Sequence, residues 1–231
     1  RIANIAQVVA MGDMAGNMIH RINNQLGSIR ADINYLTTQH AAQQLEEAEL
    51  LELLDDMLEN AEATLAMAEN IRKPFQTSPQ EPIDVNDCIK NGLQEKKDEL
   101  KKVIVIEVLE PVPAVMATRQ LELVFENLLT NALLAMNGQL RGVLKFSTTC
   151  SADGQWVEIT VQDSGPGLSP DLKESEIFKL GVSGRPEGLG YGLWWCDTFL
   201  KRWGGQIQLV NDSRRGCKFL IKLPTATRGR E

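Results

Sequence analysis

Two asparagines one helical turn apart could take part in chemistry. Asn127 and Asn131 lie on a stretch with the apolar spacing of a helix, so their amides share a face. Two amide oxygens on one face can ligate a hydrated Mg²⁺, which takes few protein ligands. Asparagine pairs are also common on helix surfaces, so a purely structural role stays open at this point.

A carboxylate and two glycine-containing segments could bind a ligand. Asp163 directly follows a predicted strand that ends at Gln162, and it is followed by Gly165 and Gly167, which allow a tight turn and close approach of a ligand. A structural turn explains this segment equally well. Further on, bare backbone N–H groups just before a predicted helix could hold phosphates. The alternating glycines that provide them are Gly188, Gly190 and Gly192.

A histidine that faces away from the apolar side of its predicted helix is the fourth candidate. His20 lies about 160° around the helix from Ile22, among small and amide side chains. A neutral imidazole, with a reference pKa of about 6.5, keeps a nucleophilic nitrogen at neutral pH. An ordinary polar helix face with one incidental histidine explains the same pattern.

Composition divides the chain into two regions that must position these residues. Proline is absent before Pro74, and only 3 of 18 glycines and 2 of 12 aromatic residues precede residue 80. Residues 73–82 are rich in Pro, Ser, Thr and Gln, which interrupt regular structure. We therefore predict a helical unit over 1–73, a linker over 74–82, an α/β domain over 83–225 and a tail over 226–231.

The first region has the periodicity of two long helices. Apolar residues recur at alternating steps of three and four in two runs. They are Ile22, Leu26, Ile29, Ile33 and Leu36, then Leu51, Leu54, Leu58, Ala61, Leu65 and Ala68. Residues 37–44 lack this pattern, which predicts a chain reversal and an antiparallel hairpin. Two helices alone leave the apolar seam exposed, so the pattern also predicts a homodimer with a four-helix bundle.

The second region alternates strands and helices, so the fold class of the whole chain is α+β. The predicted helices cover 85–101, 119–136 and 191–203, and the predicted strands 103–108, 143–149, 156–162, 206–210 and 218–223. Hairpin pairs with helices between them favour a mixed sheet. Glu158, Thr160 and Gln162 leave one side of that sheet polar, so helices should cover only the other.

Composition and charge argue against several function classes. The chain has 24 basic and 31 acidic residues, a net charge of −7, and no basic block, which disfavours nucleic-acid binding. No apolar run reaches the ~18 residues needed to cross a bilayer, and the first residue is not Met, so we expect a cytoplasmic fragment of a longer protein. Four widely spaced cysteines and two histidines favour reduced thiols over disulfides and offer few zinc ligands.

The order of the motifs resembles that of bacterial sensor histidine kinases. The succession HRINNQL, NLLTNALLAM, DSGPGL, IFKLGVSGR and GLGYGLWWC is similar to the H, N, G1, F and G2 boxes of that family and extends over nearly the whole chain. The resemblance implies a dimerisation and phosphotransfer hairpin followed by an α/β-sandwich catalytic domain of the Bergerat type, which binds ATP and Mg²⁺. It also implies an upstream sensor domain outside these residues and a response-regulator receiver domain as partner.

The resemblance gives each candidate residue a role. It implies that His20 accepts the phosphoryl group and that Asp163 binds the adenine amino group. It implies that Asn131 coordinates Mg²⁺ and that Asn127, one turn earlier, is the polar residue of the same motif and helps to bind the nucleotide. The other nucleotide-binding residues that it implies are Gly165, Gly167, Phe178, Gly188, Gly190 and Gly192.

Two more polar residues match functional positions of the family. Arg185 lies in a short predicted ATP lid, residues 168–187, where a cation would pair with the γ-phosphate. Asn24 lies four residues after His20, where the resemblance implies an amide that positions water for dephosphorylation of the partner regulator.

The sequence departs from the family pattern beside the phosphoacceptor. The family usually has an acidic residue there that orients the imidazole or takes its proton, whereas this chain has Arg21. A guanidinium cannot act as a base at neutral pH. One hypothesis is therefore an ATP-dependent kinase that phosphorylates His20 and transfers the phosphoryl group to a receiver aspartate. Another is a non-catalytic, ATP-binding dimeric scaffold. A third, an ATPase or serine-directed kinase that never uses His20, does not need the hairpin.

Overall fold

The computed structural model describes residues 22–24, 26–38, 47–72, 79–137, 139, 141–184, 190–210 and 216–227. The chain divides into two compact units, residues 1–77 and residues 78–231.

Two helices lie in the described part of the first unit, where the apolar spacing predicts them. Helix α1 covers 22–24 and 26–38, and helix α2 is Glu47–Arg72. Near the end of α1, the Tyr35 hydroxyl donates a hydrogen bond to Glu49 Oε1 near the start of α2, at 2.7 Å. Five apolar side chains of the predicted seam are between 45% and 58% exposed: Leu26, Ile33, Leu51, Leu54 and Leu58.

The second unit is an α/β domain. In chain order its elements are β1 (Glu81–Ile83), α3 (Val85–Glu95), a 3₁₀ turn (Glu99–Lys102), β2 (Val103–Leu109), β3 (Val115–Ala117), α4 (Leu121–Met136), β4 (Gly142–Cys150), β5 (Trp156–Asp163), α5 (Gly192–Arg202), β6 (Gln206–Leu209) and β7 (Lys218–Pro224).

A five-stranded mixed sheet forms the centre of this domain. Its strand order is β2-β4-β5-β7-β6, with β2 and β4 parallel and the other pairs antiparallel. Along β5, buried residues alternate with half-buried ones, and Val157, Ile159, Val161 and Asp163 lie on the buried side. Helix α4 contacts β5 and α5 contacts β6. The polar alternation seen in the sequence therefore marks the face of the sheet opposite the helices.

Two differences from the predicted elements lie at the start of this domain. Helix α3 ends at Glu95 rather than at 101, because from Gln94 to Lys102 only Leu100 is buried, so little apolar surface holds a longer helix on the domain. Strand β1 pairs with β3, so Glu81 and Pro82 belong to the domain and not to a linker over 74–82. Strands of three residues are too short for a period-two pattern to reveal.

The four cysteines, Cys88, Cys150, Cys196 and Cys217, are free thiols. None of the helices in the described part of the chain is long and apolar enough to span a membrane.

Candidate functional site

The asparagines of α4 lie against the first residue of α5. A Cβ added at Gly192 would lie 2.8 Å from Asn127 Oδ1 and 3.9 Å from Asn131 Nδ2. Asn127 donates Nδ2 to Leu123 O of its own helix at 2.8 Å, which fixes the amide plane and leaves Oδ1 on the α5 side. Both asparagines are half-buried. The predicted helix face and the last alternating glycine are therefore adjacent in the fold.

The first turn of α5 offers backbone donors with little competing negative charge. Its N-cap, Tyr191, makes no side-chain capping hydrogen bond, and the turn contains no acidic residue. The first N–H groups of a helix lack partners within the helix and carry a partial positive charge. This helix end is therefore suited to an anion close to Asn127 and Asn131.

Asp163, the last residue of β5, is held through both carboxylate oxygens. Oδ1 accepts the Gly165 N–H at 2.7 Å, and Oδ2 accepts the Cys217 N–H at 3.3 Å. The residue is only 7% exposed. Burial raises the pKa of the Asp163 carboxyl, and these hydrogen bonds partly oppose that rise. The result is an oriented acceptor group in a mostly dry position.

Gly216, just before β7, is a close neighbour of Asp163 that the sequence patterns missed. Its φ is +80°, and a Cβ there would overlap Asp163 O. The next residue, Cys217, accepts the Asp163 N–H through its carbonyl at 3.0 Å. Burial, with a smaller contribution from the Asp163 carboxylate, raises the pKa of the Cys217 thiol to about 11. Only the pairing register of β5 and β7 brings these residues together, so the local sequence gave no signal for them.

The loop after Asp163 is tied to both α4 and β4. A Cβ at Gly165 would lie 3.0 Å from Ala135 Cβ and 2.8 Å from Asp163 Oδ1. Ser164 Oγ accepts the Val143 N–H at 2.9 Å, and Ser164 O accepts Gln139 Nε2 at 3.1 Å. Gly167 has φ of +87°, as the predicted turn requires.

One face of α4 therefore joins the two halves of the site. Asn127, Asn131 and Ala135 succeed each other at four-residue steps on that face. The first two meet Gly192 and the third meets Gly165, so the asparagine end and the Asp163 end are about 12 Å apart along the helix.

The segment around Phe178 closes onto Gly190. The Gly181 N–H donates to Gly190 O at 3.1 Å. Gly190 has φ of +62°, and a Cβ there would overlap the backbone of Gly181 and Val182. The Phe178 ring meets Phe219 of β7 edge to face, with centroids 6.4 Å apart. Phe178 thus lies inside the predicted lid of residues 168–187, and the Gly181–Gly190 hydrogen bond ties the segment after Phe178 to a residue just beyond the end of that lid.

Four residues that the sequence singled out, His20, Arg21, Arg185 and Gly188, lie outside the described residues. Asn24 is exposed on α1 in the first unit.

A family model and several curated proteins are similar in sequence to this chain. Residues 116–227 match the model described as "Histidine kinase-, DNA gyrase B-, and HSP90-like ATPase". The sensor histidine kinase ZraS of Escherichia coli K12 is 29% identical over 222 residues, which cover 94% of this chain and 46% of ZraS. The C4-dicarboxylate transport sensor protein DctB of Pseudomonas aeruginosa is 25% identical over 96% of this chain and 37% of DctB. The chain spans less than half the length of these relatives.

Solved structures share the fold. The histidine kinase AdeS of Acinetobacter baumannii has a TM-score of 0.67 at 20% identity, over 90% of this chain and 98% of AdeS. The histidine kinase ThkA, solved in complex with the response regulator TrrA, has a TM-score of 0.74 at 20% identity, over 97% of this chain and 65% of that one. Residues 116–227 therefore match the histidine kinase-, DNA gyrase B- and HSP90-like ATPase family, and over nearly its whole length the chain is similar to bacterial sensor histidine kinases.

Proposed function

We propose that this chain is the kinase core of a two-component sensor: it binds Mg·ATP, phosphorylates His20 and passes the phosphoryl group to an aspartate of a response-regulator receiver domain. The observation that carries the proposal is the α4 face that runs from Asn127 at Gly192 to Ala135 at Gly165. This face connects a helix N-terminus that is suited to bind phosphates with a buried carboxylate that is suited to bind the adenine base.

Asp163 would bind the adenine. An ionised carboxylate only accepts hydrogen bonds, so it selects a ligand that donates, as the adenine amino group does. The two backbone N–H groups from Gly165 and Cys217 already orient it, so no rearrangement is needed when the base arrives. Gly165 and Gly167 would let the base approach the backbone closely.

Asn127, Asn131 and the start of α5 would hold the phosphates and their metal. Mg²⁺ keeps most of its waters and takes few protein ligands, so two half-buried amides beside a helix N-terminus fit it. When bound, the ion would neutralise charge on the phosphates. Gly190 and Gly192 leave backbone N–H groups open to the phosphate oxygens, and Gly188 and Arg185 would extend that contact.

The chemistry would depend mainly on positioning. A His20 ring nitrogen attacks the γ-phosphorus, the bond to the β,γ-bridging oxygen breaks, ADP leaves and the ring proton passes to solvent. Asn24, which is exposed on α1 and lies four residues after His20 in the sequence, would position water for hydrolysis of the phosphorylated regulator.

The first unit would form a helical hairpin that dimerises. The Tyr35–Glu49 hydrogen bond supports a chain reversal between α1 and α2. Leu26, Ile33, Leu51, Leu54 and Leu58 stay about half exposed in a single chain. A four-helix bundle between two copies would bury them.

A solved relative supports a partner for this chain, and the free thiols support a location. ThkA is solved in complex with the response regulator TrrA, which supports a receiver domain as the phosphoryl acceptor here. We propose that the core acts in the cytoplasm, where ATP is available and its four thiols stay reduced. An upstream sensor domain, outside these residues, would supply the signal.

The alternative is an ATP-binding dimeric scaffold without kinase activity, and Arg21 favours it. A guanidinium beside His20 cannot take the imidazole proton, and without another base the transfer step would be slow or absent.

Incubation with γ-labelled ATP and Mg²⁺ tests both functions. A phosphorylated imidazole loses its label in acid and keeps it in base, unlike a phosphorylated serine. The chain has only two histidines, so His20→Gln has a matched control in His40→Gln. We expect acid-labile label in the wild type and in His40→Gln, and none in His20→Gln.

Label retained by His20→Gln would contradict the assignment of His20. Saturable ATP binding with no label at all would favour the scaffold. If Asp163→Asn binds ATP as tightly as the wild type, Asp163 does not belong to the site.

A further inference from the structure

A cavity lies at the end of the sheet opposite Asp163. It has a volume of about 490 Å³, and its walls include Trp156, Trp203, Met116 and Pro224. Trp156 and Asp163 are the first and last residues of β5, seven steps and therefore about 23 Å apart along an extended strand. The cavity is thus separate from the nucleotide site.

The cavity is preformed and mainly apolar. Trp203 is 6% exposed, and its ring meets Phe199 edge to face at 5.8 Å. Thr225, another lining residue, is 2% exposed and donates its N–H to Gln155 O at 3.0 Å. Rigid aromatic walls and a volume within the usual range of about 300–1,000 Å³ are features of small-molecule sites.

Arg202 gives the cavity a positive charge. Arg202 is one of the residues that line the cavity, and its guanidinium carbon lies 5.3 Å from the centroid of the Phe199 ring. The neighbouring Lys201 pairs with Asp197 at 2.7 Å, whereas no carboxylate in the described part of the chain pairs with Arg202. The last carbonyls of α5 accept the N–H groups of residues 203–205 and so repel an anion less than open carbonyls would.

We propose that this cavity binds a small planar organic anion, with its ring against Trp156 and Trp203 and its carboxylate on the Arg202 guanidinium. The planar guanidinium matches a carboxylate with two parallel hydrogen bonds. Gln80, at the rim, adds an amide that can donate a third. The walls distinguish such a ligand from an inorganic anion, which gains nothing from indole surface.

Titration of the full chain with 2-naphthoate, followed through the indole N–H signals of its four tryptophans, tests this site. Single Trp→Phe variants assign the signals. We expect saturable shifts at Trp156 and Trp203 but not at Trp194, which lies in the first turn of α5. Arg202→Gln should weaken binding about tenfold, as expected for loss of a charged hydrogen bond. Lys201→Gln, on the adjacent exposed residue, should leave it unchanged.

Two further measurements keep the test decisive. The neutral analogue 2-naphthylmethanol should bind about tenfold more weakly than 2-naphthoate. Gln80→Trp, at an exposed position, should fill the cavity mouth and abolish binding while Arg202 stays in place. Absence of saturable shifts up to about 10 mM 2-naphthoate, or equal affinity of Arg202→Gln and wild type, would overturn the proposal. No nucleotide is present in the titration, so its outcome is independent of the kinase assay.

Discussion

The two ends of the α4 face hold their functional groups in different ways. At one end, Asp163 is fixed by main-chain donors on both sides and by β7, a strand inside the sheet. At the other end, Asn127 is fixed by its own helix and faces Gly192, while Gly190 contacts the segment near Gly181. The Asp163 end therefore depends on the sheet and should lose its structure only when the whole domain unfolds. The Asn127 end depends partly on loop contacts that can open locally.

Gly216→Ala should have the largest effect, because it acts at the Asp163 end. A methyl group there overlaps Asp163 O, and φ of +80° disfavours any L side chain. We expect the free energy of unfolding to fall by about 3 kcal/mol, from backbone strain and a clash with main-chain atoms that cannot rotate away. Urea unfolding of wild type and variant measures the change, and ATP binding should fall with it.

Gly154→Ala is the matched control for Gly216→Ala. Gly154 has a similar φ of +69°, but a Cβ there meets nothing within 4 Å. Its cost should be that of a left-handed conformation alone, about 1 kcal/mol. Equal losses for the two variants would mean that contact with Asp163 adds nothing, and the difference between the two ends would lose its basis.

Gly190→Ala should separate binding from stability at the other end. A Cβ at Gly190 overlaps the backbone of Gly181 and Val182, so the Gly181–Gly190 hydrogen bond should break and the base of the lid should part. We expect ATP affinity to fall at least about tenfold. The free energy of unfolding should fall by about 2 kcal/mol, about half from the lost hydrogen bond and half from the left-handed φ of +62°. Isothermal titration calorimetry and urea unfolding measure the two quantities.

Gly181→Ala provides the comparison for that variant. Gly181 has φ of +79° but open space around a Cβ. If its ATP affinity falls as far as that of Gly190→Ala, conformational strain and not close approach explains the loss. The distinction between loop contacts and sheet contacts would then not hold.

Local patterns predicted the parts of the site that lie within single elements. Asn127 and Asn131 share a helix face because helical geometry puts residues four apart together, and Asp163 follows a strand with strict alternation. The order of glycine segments added the resemblance to a known family. These signals were enough for the mixed sheet, and the resemblance assigned the α4 asparagines and the glycines at the start of α5 to one nucleotide site.

Contacts between distant segments could not be predicted in the same way. Gly216 and Cys217 become neighbours of Asp163 only through the antiparallel register that pairs Gln162 with Lys218. Nothing in the polar run before β7 identifies that partner. The strands β1 and β3 have three residues each and are too short to show the two-residue alternation of a strand. The sequence patterns therefore place Glu81 and Pro82 in the predicted linker. Register is a property of the whole sheet, not of either segment.

A comparison of Asp163→Asn with the wild type across pH should show how strongly burial raises the pKa of the Asp163 carboxyl. Burial raises the carboxyl pKa, so the folded state binds this proton more tightly than the unfolded state. The wild type therefore gains stability relative to the variant as pH falls from neutral through the raised pKa. The gain should level off below the unfolded pKa of about 3.9.

Urea unfolding of both proteins between neutral and acid pH measures this difference. Subtraction of the variant cancels the other titrating groups. ATP affinity of the wild type should fall over the same range, because a protonated carboxyl accepts less well. A difference that shrinks toward acid pH would mean that the backbone hydrogen bonds outweigh burial and that the pKa is lowered instead.

Gly192→Ala should have the smallest effect, and it addresses the Asn127 end alone. The added Cβ would lie 2.8 Å from Asn127 Oδ1, a side-chain atom that can rotate away, so the fold should tolerate it. Gly92→Ala, in open space within α3, is the control for a glycine-to-alanine change in a helix away from the site. ATP affinity in the presence of Mg²⁺ should fall severalfold for Gly192→Ala and stay unchanged for Gly92→Ala. On the proposal that Asn127 helps to hold the metal, the same affinities should differ less without Mg²⁺. A loss that is equal with and without Mg²⁺ would instead place the methyl group in the path of the phosphates, and Asn127 would have no part in holding the ion.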